Sequence, residues 1–184
     1  MVSQALVARV DRLDRGAFQG SACRHIEPAR DPLSGIGARI LGGRWNPPES
    51  FSVLYLGLDS DVVAAEFRRM AARQRRELAD FLPRRLYTYE INLGAVLQVI
   101  DAAVRDELGL TTEALAADEL GACQEVGAAA HYAGFEAVLA PSATSRGTAL
   151  ALFMDNLQAD SSVTVAGHRA WSVPADLPAA SVGQ

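Results

Sequence analysis

The sequence GGRWNPPESFSVLYLGLDSDVVAAE, residues 42–66, joins a loop rich in glycine and proline to a short apolar run and to the start of a helix. The apolar run, residues 51–58, is typical of a buried strand. The Asp-Ser-Asp sequence that follows is typical of a helix N-cap and predicts a helix over residues 59–78. Since the strand leads directly into the helix, we expect the loop and the first helical turns to lie near one end of a sheet.

The rest of the chain mixes strand-like and helix-like stretches without the regular order of a βαβ fold. Residues 28–50 are rich in Gly and Pro and predict a long irregular loop. We predict further strands at 22–27, 84–93, 96–100, 135–142 and 147–154, a late strand or hairpin at 161–173, and helices at 101–108 and 111–134. This mixture predicts an α+β fold with a mainly antiparallel sheet core and flanking helices. The length of 184 residues suits a single domain, 1–184, with its core at about 22–173.

The composition limits the classes of partner. The net charge is −5, and all 17 basic residues are arginine. This acidic balance argues against direct nucleic-acid binding, but a few well-placed arginines can still hold a small anion. The first 16 residues have no long apolar run, so we expect neither a signal peptide nor a membrane span. Cys23 and Cys123 are far apart in sequence and predict free thiols, which fits a protein of the cytoplasm.

Glu66 is the most informative side chain of the predicted helix. A step of about 100° per residue places it in the apolar sector formed by Val62, Val63, Phe67 and Met70. A buried carboxylate is costly unless a cation or donors meet it. Glu66 is therefore either a structural ion pair or rim residue, or an active-site carboxylate that points into a cleft. The arginines at 68, 69, 75 and 76 are expected on the opposite, solvated face.

The loop before the strand supplies a candidate partner for Glu66. Gly42 and Gly43 would let the backbone approach a ligand closely, and the prolines at 47 and 48 would hold Arg44 in place. Trp45 offers a flat face for stacking, and Asn46 offers a donor and an acceptor. The alternative is a surface turn that Trp45 anchors to the core.

A ligand with both a ring and an anionic group would suit this loop, and a nucleotide or dinucleotide has both. The chain has no Gly-x-Gly-x-x-Gly or Walker sequence, so such a ligand would not be bound in the Rossmann or P-loop manner. The histidines at 131 and 168 lack the spacing of metal ligands, and we predict no metal site.

The segment 42–66 resembles the signature of the RES domain, the toxin half of bacterial toxin–antitoxin pairs. LSGIGAR (33–39) and FEAVLAPSATSRGTALALF (135–153) are similar to further stretches of that family. The resemblance implies a fold like that of the ADP-ribosyltransferase toxins, with NAD as the substrate and no separate cofactor. It implies NAD hydrolysis or phosphorolysis or, in some members, ADP-ribosylation of a protein. It also implies an Xre-like antitoxin as partner.

The resemblance assigns catalytic roles to Arg44, Tyr55, Glu66 and Ser142. Glu66 would stabilise the positive charge that develops on the ribose when nicotinamide leaves. Ser142 would hydrogen-bond the ribose or the nicotinamide amide, unless it merely starts a turn. Tyr55 would stack on a base, unless it belongs to the core.

Substrate binding would involve Arg24, His25, Trp45 and Asn46. Arg24, together with Arg44, would meet the diphosphate of NAD, unless it is only a sheet-edge charge. His25 stands where the family tends to have tyrosine. The acceptor of the ADP-ribosyl group stays open between water, phosphate and a target protein. A protein of another class, a non-catalytic nucleotide- or protein-binding module with this fold, is the alternative to an enzyme.

Overall fold

Strands and α-helices follow one another irregularly in residues 2–144 and 146–179, which are the residues that this computed structural model describes. The elements are α1 (Gln4–Val10), β1 (Gly16–Ile26), α2 (Ile36–Leu41), β2 (Val53–Gly57), α3 (Ser60–Arg73), β3 (Arg84–Gln98), α4 (Ala102–Leu108), α5 (Thr112–Ala116), α6 (Gly121–Tyr132), β4 (Ala137–Pro141), β5 (Thr148–Phe153) and β6 (Ser162–Trp171).

The strands form a sheet in the order β1-β2-β5-β4-β3-β6, and β1 also pairs with β3. Five strands therefore form a closed circuit, with β6 added to the outside of β3. The β3–β4 pair is parallel and the other pairs are antiparallel. The predicted α+β fold with a mainly antiparallel sheet and flanking helices is confirmed.

The two faces of the sheet bury different cores, because successive side chains of a strand point to opposite sides. On β2, Leu54 and Leu56 belong to a hydrophobic cluster that consists of side chains from the strands and from the segments that join them. Val53 and Tyr55 point to the other face, where the cluster includes residues of α1, α4, α5 and α6. The helix α3 covers a third cluster that contains Phe67 and Trp171. The helices thus lie on one side of the circuit, and the site is built on that side.

Several predicted boundaries are wrong, for identifiable reasons. Residues 84–93 and 96–100 were expected as two strands, but β3 is one strand whose partners change near Gly94 from β1 to β4. The helix predicted to reach residue 78 ends at Arg73, and Arg75 then has a φ of 52°, which a continuing helix does not allow. The helical stretch 111–134 is two helices, α5 and α6. The long loop 28–50 contains α2, and β1 begins at Gly16 rather than at residue 22.

Both cysteines are free thiols, as predicted. Burial raises the pKa of Cys23 and of Cys123. Within residues 2–144 and 146–179, no helix is long and apolar enough to cross a membrane.

Candidate active site

Glu66 and Ser142 meet at the edge of the sheet where β4 ends. The carboxylate of Asp59 accepts from the N–H of Val62 at 2.8 Å and thereby fixes the start of α3. Ser142 follows β4, and its hydroxyl donates to Oε1 of Glu66 at 2.5 Å. Ser142 is 3% exposed, whereas Glu66 is only partly buried. The carboxylate is therefore oriented by a neutral, buried donor and keeps access to solvent.

The turn after Ser142 fixes that hydroxyl in its own position. The N–H of Thr144 donates to the oxygen of Ser142 at 3.2 Å, and the two hydroxyls lie 2.8 Å apart. Ser142 thus acts within a small network as the donor to Glu66, which is more than the start of a turn. A hydrogen bond of this kind favours one orientation of a carboxylate without neutralising its charge.

The prediction that Arg69 lies on a solvated face is wrong. Its guanidinium donates to the backbone carbonyl of Ala143, to that of Ala116 at 2.7 Å and to the carboxylate of Asp118 at 2.8 Å. The side chain is only 23% exposed. Arg69 lies three residues after Glu66, so both side chains project from the same flank of α3. The rest of the chain reaches this flank through the 142–144 turn and the segment after α5.

Arg44, on the 42–48 loop, binds the same segment after α5 that Arg69 binds from α3. Its guanidinium donates to the carbonyls of Ala114 at 3.4 Å and Ala117 at 3.0 Å. Arg44 and Arg69 therefore both bind residues 114–118, which lie between the 42–48 loop and α3. Residues 114–118 thereby connect the loop that carries Arg44 to α3, the helix that carries Glu66. We call this junction of the 42–48 loop, residues 114–118 and α3 the seam.

The residues next to Arg44 hold the loop together. The N–H of Trp45 donates to the hydroxyl of Tyr55, which in turn donates to Oδ1 of Asn46, both at 2.8 Å. The Asn46 amide donates to the carbonyl of Ala38 at 2.8 Å. Trp45 is 3% exposed and Asn46 is fully buried. Trp45 therefore has no face open for stacking in this structure, and the alternative of a loop anchored by Trp45 describes what is observed.

The glycines of this loop also serve packing rather than ligand approach. A Cβ on Gly43 would lie 2.5 Å from the ring of Tyr55. On α6, a Cβ on Gly127 would lie 2.0 Å from the carbonyl oxygen of Trp45. Burial raises the pKa of Tyr55, against the opposing hydrogen bond from Trp45. Tyr55 thus keeps its proton and, through its hydrogen bonds with Trp45 and Asn46, braces the loop that carries Arg44.

Arg24 and His25 lie on opposite faces of β1. Arg24 donates to the carbonyls of Pro32 at 3.3 Å and Ser34 at 3.0 Å, and burial lowers its pKa. His25 points to the other face of β1, where its ring centroid lies 4.1 Å from that of Phe67 and 5.9 Å from that of Trp171.

The ring of His25 is enclosed by the core under α3. Its Nδ1 is buried and has no hydrogen-bond partner in residues 2–144 and 146–179. Burial, followed by the charges of Arg84 and Arg24, lowers the pKa of His25 to about 3. The histidine that replaces the expected tyrosine is therefore a neutral packing residue of α3 in this structure.

Of the eight predicted residues, the structure brings Glu66 and Ser142 into contact. Arg44 is linked to α3 through residues 114–118, and Tyr55 braces the loop that carries Arg44. Trp45 and Asn46 also support that loop, Arg24 binds the carbonyls of Pro32 and Ser34, and His25 packs against Phe67 of α3. The residue that sequence reasoning missed is Arg69, although its spacing of three from Glu66 is a signal of a shared helix flank. A partly exposed carboxylate can stabilise a cation that forms on a substrate, and guanidinium groups of the same region can bind the anionic part of that substrate.

Comparison with known proteins places this arrangement in context. The model of the RES domain matches residues 17–176. The NAD(+) phosphorylase MbcT of Mycobacterium tuberculosis strain H37Rv and that of Mycobacterium bovis are each 33% identical to the chain over 144 residues, which is 77% of this chain and 77% of either relative. A chain of the crystal structure of the M. tuberculosis MbcT–MbcA toxin–antitoxin complex superimposes with a TM-score of 0.86. It is 28% identical, and the match covers 95% of this chain and 96% of that one.

Proposed function

The chain belongs to the RES domain family, as its motifs predicted, and on this premise we propose that it is a toxin that degrades NAD by phosphorolysis. The observation that carries the proposal is the partly exposed Glu66 carboxylate, whose Oε1 accepts a hydrogen bond from the buried Ser142 hydroxyl at 2.5 Å. The relatives named NAD(+) phosphorylase support phosphate as the acceptor over water or a protein.

In the proposed reaction, the bond between the nicotinamide nitrogen and the ribose carbon breaks, and the electron pair leaves with nicotinamide. Nicotinamide departs as a neutral molecule, so the step needs no strong general acid. Positive charge develops on the ribose, and the Glu66 carboxylate stabilises it. An oxygen of inorganic phosphate then bonds to the ribose carbon, giving ADP-ribose phosphate and nicotinamide, with any proton that phosphate loses passing to solvent.

The other residues of the seam have supporting roles in this proposal. Ser142 is a positioning residue that sets the orientation of Glu66. Arg44 contributes positive charge for the diphosphate of NAD on the loop side. Tyr55 holds the loop that carries Arg44. Arg24, His25, Trp45 and Asn46 then act through the scaffold instead of touching NAD.

The test is to incubate the purified protein with NAD in phosphate-free buffer and in buffer with added phosphate. We expect nicotinamide release to depend on phosphate, and a phosphorylated ADP-ribose to be detected by ³¹P NMR and mass spectrometry. Free ADP-ribose alone would mean hydrolysis, and label from NAD on a protein band would mean transfer. No release of nicotinamide under either condition would leave only a binding module and overturn the proposal.

A partner protein follows from the same relatives. The similar solved structure is that of a toxin with its antitoxin. We expect an antitoxin of Xre-like type, encoded beside this gene, to bind the chain in the cytoplasm, where it would consume NAD. Expression of the chain alone should stop growth, and co-expression of the neighbouring reading frame should restore it. Growth that is unaffected by the wild-type chain would contradict a toxin role.

A further inference from the structure

Two arginines contact one exposed carboxylate near the Glu66 site, and a third binds the backbone next to it. Arg69 and Arg73, which lie one turn apart on α3, contact Asp118 at 2.8 Å and 3.5 Å. The third, Arg44, donates to the carbonyl of the preceding residue, Ala117. The side chain of Asp118 is 65% exposed, so solvent screens its ion pairs and it can leave them at little cost.

The electrostatics agree with this geometry. The pKa of Asp118 is lowered, first by the hydrogen bond from Arg69 and then by the charges of Arg73 and Arg44, against the opposing effect of desolvation. One guanidinium nitrogen of Arg69 and one of Arg73 converge on Oδ1 of Asp118, and a phosphate oxygen can accept from the same two donors as a carboxylate oxygen does.

The cluster also lies close to the proposed reaction centre. Arg69 donates to the carbonyl of Ala143, whose neighbour Ser142 donates to Glu66. An anion bound by Arg69 would therefore lie near the carboxylate that faces the ribose. The proposed reaction needs such an anion there, because phosphate has to approach the carbon from which nicotinamide leaves.

We propose that Arg69 and Arg73 bind a phosphoryl anion of the reaction and that the Asp118 carboxylate competes with that anion for the same donors. The proposal rests on the proposed function. The shared chemistry is a phosphate group, and its two sources are the inorganic phosphate acceptor and the diphosphate of NAD. Asp118 would then set how much phosphate the enzyme needs.

The deciding variant is Asp118→Asn, which keeps the shape of the side chain and removes its charge. We expect the apparent KM for phosphate to fall by about twofold to fivefold, the range typical of an exposed ion pair. The KM for NAD falls instead if the diphosphate is the anion that binds. An ion pair with a purely structural role predicts a lower Tm with both KM values unchanged, and that result would overturn the proposal.

Arginine variants give the opposite sign. Arg69→Gln should raise the KM of the same anion by about tenfold, and Arg69→Lys should recover part of the loss, because a lysine keeps the charge but not the fork. The control is Arg12→Gln, an exposed arginine outside the matched RES region, which should leave both KM values unchanged. Equal effects of the Arg69 and Arg12 variants would contradict the assignment.

A binding measurement separates this proposal from the proposed function. Phosphate and ADP-ribose are titrated by calorimetry into wild type, Asp118→Asn and Arg69→Gln. If wild type does not turn over NAD, tighter phosphoryl binding by Asp118→Asn and weaker binding by Arg69→Gln still establish the anion site. Identical binding by all three proteins removes it, whatever the outcome of the NAD assay.

Discussion

The 42–48 loop and the Glu66–Ser142 pair use their polar groups differently. In the loop, the amide of Asn46 and the hydroxyl of Tyr55 are both satisfied by protein partners in the interior. In the pair, only the serine is buried, and the carboxylate keeps access to solvent. The 42–66 segment thus contains residues that hold the loop together and a carboxylate that is free to meet a ligand. The hydrogen-bond partners of each side chain distinguish the two kinds of residue.

Glu66→Gln is the sharpest test of the reactive side. The substitution keeps the size and the hydrogen bond from Ser142 but removes the charge that stabilises the cationic transition state. We expect kcat for nicotinamide release to fall roughly 10²- to 10³-fold. The free energy of unfolding, measured in urea, should change by less than about 0.5 kcal/mol because the site is partly exposed. Wild-type turnover in this variant would remove Glu66 from the mechanism.

Asn46→Ala tests the scaffold side and should show the opposite pattern. It removes the acceptor of the Tyr55 hydroxyl and the donor to the Ala38 carbonyl, and it leaves buried polar groups unpaired. We expect a loss of about 2–4 kcal/mol in the free energy of unfolding, measured in urea. If the variant instead keeps the stability of the wild type and has a raised KM for NAD, Asn46 contacts the ligand. The loop and the Glu66–Ser142 pair would then not differ in role.

His25 extends the comparison to the core under α3. Its folded pKa of about 3 lies below the ordinary value of 6.5, so the unfolded chain takes up a proton first as the pH falls. The contribution of the neutral His25 to the free energy of unfolding is therefore fully present above pH 6.5. It is lost progressively as the pH falls from 6.5 toward 3. From pH 7 to pH 5 the histidine should cost about 2 kcal/mol in the free energy of unfolding.

The measurement is a pair of urea titrations at pH 7 and pH 5 for wild type and for His25→Phe. The difference between the two proteins isolates His25 from the carboxylates and from His131, whose pKa burial also lowers. His25→Tyr, which restores the residue that the family tends to have, serves as a second comparison. An equal loss of stability at pH 5 in wild type and His25→Phe would show that the ring is not protonated on unfolding in this range.

Ser142→Ala has the smallest expected effect. Loss of the hydroxyl frees the Glu66 carboxylate to rotate but keeps its charge, so we expect kcat to fall about tenfold with a small change in KM. Thr144→Val is the matched control, since it removes the neighbouring hydroxyl and leaves the donor to Glu66 in place. If both variants lose the same activity, the turn as a whole, and not the serine hydroxyl, orients the carboxylate.

Periodicity and capping predicted the parts of the fold that local sequence controls. The N-cap at Asp59 and the apolar flank of α3 fixed the position of Glu66 correctly. The single long strand β3 was not predictable, because residues 84–98 change partners from β1 to β4. Which strands pair depends on residues far apart in the chain, so local sequence does not reveal it. α2 lies in a stretch whose glycines favour a loop, and it ends at Gly42, which has a φ of 74°.

The site followed the same division. The resemblance and the position of Glu66 on α3 placed Glu66 and Ser142 in the site, and the structure shows them in contact. The role of Asn46 was not predictable, since a buried amide that braces a loop and an amide that binds a ligand have the same sequence. Arg69 was assigned to the solvated face because a helical projection cannot show which other segments pack against that face. The segments that reach the other flank of α3 come from residues 114–118 and 142–144, far away in the chain.

The pairing of β2 has a consequence for when the candidate site can assemble during synthesis. β2 meets β1 at one position, Cys23 with Gly57, but all five of its residues pair with β5. A nascent chain that ends before Ser142 contains Arg44 and Glu66 without β5, which pairs with all of β2, and without the serine that orients the glutamate. Assembly of the seam must therefore wait until translation is nearly complete. Most of the chain is thus synthesised before the Glu66–Ser142 pair can form.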